Sequence, residues 1–251
     1  MGSVNKKIVI SIATFVTTSF ILGCGTVTSK NELNKKYQMA IADTAQASHM
    51  EIHRNLYAVN EKNKELIWSE GGSKILAVSW MSEYKYNNFY KNKEKISDKE
   101  EHATWVTLVP QVNKFCRDYL ERKPKATKQE VDLRLKQYLG LPHEGKYDVF
   151  VEVWVSHQDM FRPCVDIEIH DHSCNLHFEE GKIPEVDNIN KYDEYYKKLR
   201  NDAYPWTGLG YTYDWGNPDS EVGASEYILS PGSKYIIGRV MQTVDYCTMS
   251  Y

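Results

Sequence analysis

Residues 147–156 most constrain the fold, because they read Y-D-V-F-V-E-V-W-V-S and are apolar at almost every position after the first two. Successive side chains of a β-strand point to opposite faces, so each face can be read separately. One face carries Val149, Val151, Val153 and Val155, and the other carries Phe150, Glu152 and Trp154. A strand that is apolar on most of both faces is buried on both, which predicts an interior strand of a sheet.

The remaining strand and helix signals occur in blocks, without regular alternation. Further strands are predicted at 55–60, 65–69, 74–82, 104–109 and 234–246, and the turn E-G-G-S at 70–73 predicts a hairpin. Helices are predicted at 112–120, 127–139 and 188–203 from their apolar spacing, whereas 83–102 resemble a solvated loop. This order predicts an α+β fold: a mostly antiparallel sheet with about three packed helices.

The N-terminal segment carries an export signal. A short basic region precedes about fifteen apolar residues, a layout that is typical of a secretory signal and short for a membrane span. The region ends in I-L-G-C at 21–24, which resembles the lipobox of bacterial lipoproteins. The resemblance implies a signal peptide at 1–23, lipidation of Cys24 and attachment to the bacterial cell envelope through the membrane. Gly25, in place of aspartate, implies the outer membrane if the organism has two membranes.

A plain signal peptide or an uncleaved anchor with a chance cysteine is the alternative interpretation of this segment. Residues 24–48 are polar and low in aromatics, and we expect them to be a lipidated tether that is helical in part. Residues 49–251 then form a single globular domain, a size that buries a substantial core. The net charge of −3 falls to −5 without the two leader lysines, so no nucleic-acid partner is expected.

The cysteine count agrees with the lipobox. Five cysteines occur, at 24, 116, 164, 174 and 247, and an odd number is awkward for an exported protein. If Cys24 carries lipid, four remain, which is enough for two disulfides in an oxidising compartment. Three pairings are possible, and the short Cys164–Cys174 loop is favoured, leaving Cys116 with Cys247.

Residues 164–174 read C-V-D-I-E-I-H-D-H-S-C and hold a concentration of polar side chains. Their alternation predicts a strand whose polar face presents Asp166, Glu168, His170 and His172. With His177 or His157, these imidazoles could bind one divalent metal ion, and no other cofactor is expected. An edge strand with one solvated face gives the same pattern, and a polar binding site without metal is a third interpretation.

Glu152 is the candidate for acid–base chemistry. A carboxylate on a nearly apolar strand is expected to be desolvated and to have a raised pKa, as a general acid or base requires. His157 is its candidate partner. The alternative is a half-covered face on which Glu152 reaches solvent or a basic side chain.

An aromatic row at Tyr211, Tyr213 and Trp215 is the last candidate site. On an exposed strand these rings could stack on sugars or hold a peptide. Packing in the core around a glycine-rich turn is the alternative.

The signature motifs of common hydrolases, nucleotide-binding proteins and calcium-binding proteins are not found. The sequence therefore favours an envelope lipoprotein with a non-catalytic binding or scaffolding domain. Its expected partners are the membrane and either cell-wall glycan or another envelope protein. The alternative is an envelope hydrolase, with or without metal, that uses Glu152 and a histidine cluster: His157, His170, His172 and His177.

Overall fold

An antiparallel sheet organises the computed structural model, which describes residues 29–200 and 204–251. The strands in these residues are β1 (Ile75–Met81), β2 (Thr104–Leu108), β3 (Val149–Val155), β4 (Met160–Phe161), β5 (Tyr211–Tyr213), β6 (Val222–Ser225), β7 (Tyr227–Leu229) and β8 (Tyr235–Gln242). Six of them form one sheet in the order β4-β7-β2-β1-β3-β8, and β5 pairs with β6 separately. Because β3 pairs with β1 on one side and β8 on the other, its predicted interior position is confirmed.

Helices pack against this sheet, which confirms the predicted α+β class. In the described part of the chain they are α1 (Lys30–Asp43), α2 (Glu83–Phe89), α3 (Gln111–Arg122), α4 (Lys128–Tyr138), α5 (Tyr192–Arg200) and α6 (Thr243–Thr248). Three of these, α3 to α5, are the predicted helices. The capping box that begins α4 is present: Glu130 N donates to Thr127 Oγ1 at 3.3 Å, and Thr127 N donates to Glu130 Oε2 at 2.7 Å.

The two faces of β3 are buried against different elements. Phe150 lies in a cluster with residues of α3, α4 and α6, among them Val112, Leu135 and Tyr246. The valine face lies in a second cluster with Tyr90 and other residues of the loops that cover the sheet. Burial from both sides explains why the segment is almost continuously apolar.

Two predicted strands, at 55–60 and 65–69, are wrong. Side-chain amides organise this stretch into turns: Asn60 Oδ1 accepts from Lys62 N at 3.0 Å, and Asn63 Oδ1 accepts from Glu65 N at 3.2 Å. The predicted hairpin is present only as a single antiparallel bridge between Trp68 and Ile75. The turn that joins them includes Gly71, whose φ is +80°. The stretch therefore forms turns and single long-range backbone bonds, such as Val59 N to Ile169 O at 2.7 Å, and no strand ladder.

The predicted loop at 83–102 contains a helix, α2. Its start is capped by Ser82, whose Oγ accepts from Lys85 N at 3.1 Å. The cap explains why a polar, lysine-rich stretch begins a helix directly after β1.

Part of the predicted tether is a packed helix. In α1, Leu33 and Tyr37 are buried, and the Tyr37 ring lies 5.6 Å from the ring of Trp215. One face of α1 therefore packs against the folded domain, and most of the rest of the helix is exposed. The predicted signal peptide and Cys24 lie outside the described residues. Among residues 29–200 and 204–251, no helix combines the length and apolar character needed to cross a bilayer.

Both predicted disulfides are confirmed. Cys116–Cys247 joins α3 to α6, with Cα atoms 5.3 Å apart, and Cys164–Cys174 closes a loop with Cα atoms 6.2 Å apart. The first bond links segments 131 residues apart, and the second links segments 10 residues apart. One disulfide thus holds the helical layer, and the other shapes a surface loop.

Candidate functional site

A groove of about 540 Å³ lies where the chain leaves β3. Its lining consists of Val59, Asn60, Glu61, Asn63, Lys64, Leu66, Trp68, Gly72 and His157. His157 follows β3 directly in a 3-10 turn, and Trp68 is held by its bridge to Ile75, the first residue of β1. Since Ile75 pairs with Val155, the antiparallel sheet brings Trp68 and His157 together across 89 positions of sequence.

Trp68 and His157 line this groove, and His170 lies next to His157. The His157 ring lies 5.7 Å from the Trp68 ring and 6.1 Å from the His170 ring, both nearly perpendicular. His170 is fixed by its Nδ1, which donates to Val59 O at 2.7 Å because a carbonyl oxygen only accepts. Of the histidines predicted to act together, the structure places these two side by side.

The environment of His157 favours its neutral form. Burial lowers the pKa of His157, the nearby His170 lowers it further, and Asp159 opposes the shift. Its Nδ1 is buried and has no hydrogen-bond partner among the described residues. The site therefore offers an uncharged imidazole at neutral pH.

The predicted strand at 164–174 is wrong, because this segment wraps around a buried arginine. Arg162 is fully buried, and its Nη1 donates to Asp171 Oδ1 at 2.8 Å and to Ser173 O at 3.1 Å. Its Nη2 donates to Asp171 O at 2.9 Å and to Tyr57 O at 3.2 Å. These bonds curl the backbone around the guanidinium, and the Cys164–Cys174 disulfide closes the loop.

The carboxylates predicted for this strand face have structural partners. Glu168 accepts from His170 N at 2.7 Å and from Asp171 N at 3.2 Å, while Asp166 accepts from Asn175 N at 2.9 Å. Burial raises the pKa of both Glu168 and Asp166 despite these bonds. They brace turns in the loop, so they do not form one polar face.

The other predicted ligands point elsewhere. His172 Nδ1 donates to Leu56 O at 2.8 Å, and His177 lies against His49, with ring centroids 6.3 Å apart. In the described chain, the one group of three side chains able to share a metal ion is Cys164, Asp166 and Cys174, and these two cysteines are bonded to each other. The predicted five-residue polar cluster is therefore not brought together.

Glu152 is engaged in an ion pair, and its predicted raised pKa is wrong. Burial favours a higher pKa, but hydrogen bonds from Arg239 and Tyr251, together with the arginine charge, lower the pKa of Glu152. Arg239 Nε and Nη2 donate at 2.8 and 2.7 Å, and Tyr251 Oη donates at 2.5 Å. The interpretation that Glu152 reaches a basic side chain is the one that the geometry supports, and His157 is not its partner.

The prediction that Tyr211, Tyr213 and Trp215 form an exposed aromatic row is wrong. Tyr211 and Trp215 are buried, and Tyr213 is half-buried with its hydroxyl donating to Asp43 at 2.7 Å. Trp215 packs under α1 and donates from Nε1 to Leu141 O at 3.1 Å. The alternative interpretation as core packing is correct, because α1 covers this part of the domain.

Sequence reasoning missed two features of this region. Trp68 belongs to no sequence motif, although its place before a glycine turn marks it as a strand-end aromatic.

Glu226 is buried between β6 and β7. Burial raises the pKa of Glu226 to about 8, and the Trp206 indole opposes this shift. Its Oε1 has no hydrogen-bond partner in the described residues. The signal was a lone carboxylate in the otherwise uncharged stretch V-G-A-S-E-Y-I-L at 222–229.

Fold and site together define an α+β domain with two disulfides and an open groove beside a histidine pair. A scan against protein-family models, a search of curated proteins and a search of solved structures each found no match to this chain.

Proposed function

We propose that this chain is a bacterial envelope lipoprotein, anchored by lipid on Cys24, whose domain binds a ligand without catalysing a reaction. The observation that carries the proposal is the use of the cysteines. Of five, four form two disulfides with each other, and the fifth is the cysteine of the lipobox. Disulfides are typical of exported proteins, and lipidation gives the remaining cysteine a role.

The position of the groove supports a role in binding away from the membrane. The chain enters the domain near the start of β3: Lys30 lies 3.9 Å from Glu144, and His143 Nε2 lies 2.8 Å from Asn34 Oδ1. The groove lies beyond the other end of β3, at His157. A seven-residue strand spans roughly 23 Å, so the groove would face outward from the anchor.

Exposed aromatics at the entry end agree with this orientation. Helix α2 begins there, where Glu83 N donates to Asp148 Oδ2 at 3.1 Å. Tyr84 is 71% exposed and Phe89 is 60% exposed, and their rings lie 6.5 Å apart. Aromatic side chains are favoured at membrane–water interfaces, so this end suits a position close to the lipid.

A non-catalytic role is favoured because Glu152, the base proposed for the hydrolase alternative, is held in an ion pair. Glu152 is neutralised by Arg239, and the candidate histidines are divided between the groove, the backbone of residue 56 and His49. The hydrolase alternative loses its proposed base. Cell-wall glycan is the first partner to test, since Trp68 and His157 offer ring surfaces in the groove; another envelope protein is the second.

The anchor is tested by the variant Cys24→Ser. We expect wild type to incorporate radiolabelled palmitate and to remain with the membrane, whereas Cys24→Ser incorporates none. Thr26→Ala, next to the lipobox but outside it, is the matched control and should be labelled normally. Equal labelling of wild type and Cys24→Ser would refute the anchor.

The groove is tested by co-sedimentation of the full chain with purified cell-wall sacculi. Trp68→Ala should weaken binding by about tenfold, in line with roughly 1–3 kcal/mol for a lost aromatic contact. Tyr84→Ala, which removes an exposed aromatic outside the groove, should bind as wild type does. If the two variants weaken sedimentation equally, or if wild type does not sediment, the groove does not bind glycan.

A further inference from the structure

Two pairs of neighbouring histidines occur in the described residues, and they differ in their surroundings. His157 and His170 lie 6.1 Å apart at the groove, and His49 and His177 lie 6.3 Å apart on the surface. Both residues of the surface pair are exposed, whereas His157 is half-buried. In the groove pair, His157 also lines a space of about 540 Å³.

The spacing of the groove pair suits one shared metal ion. Each Zn–N bond is about 2.0–2.1 Å long, so two imidazoles that bind one ion have ring centroids roughly 5–6 Å apart. The observed 6.1 Å is within a small side-chain rotation of that range.

The hydrogen bond of His170 selects the form of the ring that binds metal. Because Nδ1 donates to Val59 O, the proton of the neutral ring is on Nδ1 and the lone pair is on Nε2. A carbonyl acceptor on the far nitrogen is the usual support for a metal-binding histidine, since it fixes the tautomer and the ring orientation.

His157 supplies the second imidazole. Its Nδ1 is buried and makes no hydrogen bond within the described residues, so the ring is not committed to another partner. The remaining coordination positions would open toward the groove, where water or a ligand atom can bind.

We infer that His157 and His170 bind one divalent transition-metal ion, such as zinc, at the edge of the groove that His157 lines. Imidazole nitrogen is a preferred donor for zinc, copper and nickel. The ion would present open positions to whatever enters the groove, so it deepens the proposed binding function. The biological role of the ion rests on the proposed binding function. The binding of the ion does not, because it needs neither the lipid anchor nor the glycan.

Isothermal titration calorimetry tests this inference: zinc chloride, with no other ligand, is titrated into the purified full chain. We expect one ion per chain. His157→Ala and His170→Ala should each weaken the site by more than about tenfold, as loss of even outer partners costs 10–100-fold. His172→Ala is the matched control, because His172 makes the same Nδ1 bond to a backbone carbonyl at 2.8 Å yet is not part of either pair.

The outcomes separate the two histidine pairs. Loss of zinc binding in His177→Ala, with full binding in His157→Ala, would assign the ion to the surface pair and overturn the inference, as would the absence of zinc binding by wild type. If His170→Ala fails to fold, His157→Ala decides, since its Nδ1 has no bond to lose. Palmitate labelling and sedimentation with sacculi are separate measurements, so either proposal can fail alone.

Discussion

Residues 149–155 and 164–174 are both predicted as strands from the sequence, and only the first forms one. The first is the interior strand β3, paired on both sides, and the second is a disulfide-closed loop around Arg162. The pattern of β3 is apolar on most of both faces, whereas the loop alternates aliphatic with charged side chains. An alternating pattern is compatible with a strand, but the backbone groups must also find partners in neighbouring strands.

In the loop, side chains supply many of the backbone partners, beside a few backbone bonds such as Val59 N to Ile169 O at 2.7 Å. Glu168 and Asp166 accept from backbone N–H groups, and Arg162 donates to backbone carbonyls. Polar side chains that bond to nearby backbone compete with ladder formation. A segment whose own carboxylates can satisfy its backbone is therefore a poor candidate for a strand, even when its alternation is regular.

The largest expected effect is the loss of unfolding free energy when a disulfide is removed, and it differs between the two disulfides. Replacing Cys116 and Cys247 by serine should cost about 5 kcal/mol of unfolding free energy, against about 3 kcal/mol for Cys164 and Cys174, because the longer loop gains more entropy when opened. Urea unfolding of both double variants measures this. Equal losses would mean that the short disulfide supports more of the fold than its own loop.

The second effect tests whether Arg162 organises the loop. Arg162→Leu leaves Asp171 and three backbone carbonyls without their donor, and we expect a loss of about 3–4 kcal/mol. Arg122→Leu, at the exposed end of α3, is the control and should change stability by less than about 0.5 kcal/mol. Hydrogen exchange should show that the damage is concentrated in 164–174, with β3 still protected; uniform loss of protection would contradict a local role.

The third effect concerns Glu226, a carboxylate buried without an arginine. Its pKa of about 8 in the fold lies above the unfolded value of 4.5, so its stabilising contribution is complete below pH 4.5 and is lost as pH rises through 8. Glu226→Gln should therefore gain about 3 kcal/mol relative to wild type between pH 5 and pH 8, at about 1.4 kcal/mol for each pH unit between the two pKa values. Thermal unfolding at both pH values measures the gain, and parallel curves for the two proteins would rule it out.

The smallest effects are expected for one glutamate from each of the two segments, Glu152 in 149–155 and Glu168 in 164–174. The pKa of Glu152 is lowered in the fold, so its contribution to stability is present above the unfolded pKa and is lost as pH falls through the folded pKa. The pKa of Glu168 is raised in the fold, so its contribution to stability is lost as pH rises through the folded pKa. Glu152→Gln should thus destabilise at pH 7, by about 1–2 kcal/mol, and Glu168→Gln by less than about 0.5 kcal/mol. Acid titrations of both variants should show opposite changes in slope.

Local patterns predicted much of the fold. The burial of β3, the three helices α3 to α5 and the capping box of α4 depend on residues close in sequence, whose periodicity and end signals are readable directly. The disulfide pairing was also predictable, because assigning Cys24 to lipid left four cysteines and one short loop. The turns at 55–69 were not, since asparagine side chains took the bonds that a ladder would use.

The candidate site was less predictable. The sequence marked His157 and His170 as ligand types but gave no reason to choose them over His172 or His177, and it did not mark Trp68. That choice depends on β1 lying antiparallel to β3, which places Trp68 next to His157, and on a carbonyl at Val59 that orients His170. Similarly, Glu152 was identified as a buried carboxylate, but its partner is 87 residues away.

By itself the sequence determined the class of fold, because periodicity is a property of neighbouring residues. It also favoured one disulfide pairing out of three and led to the prediction of export from a leader that the described residues do not include. Tertiary structure alone decided which charged groups neutralise each other, which aromatics are covered and which histidines meet. The physical reason is that those outcomes depend on contacts between distant segments, and a carboxylate or imidazole acquires its pKa and its partners only when the fold brings those segments together.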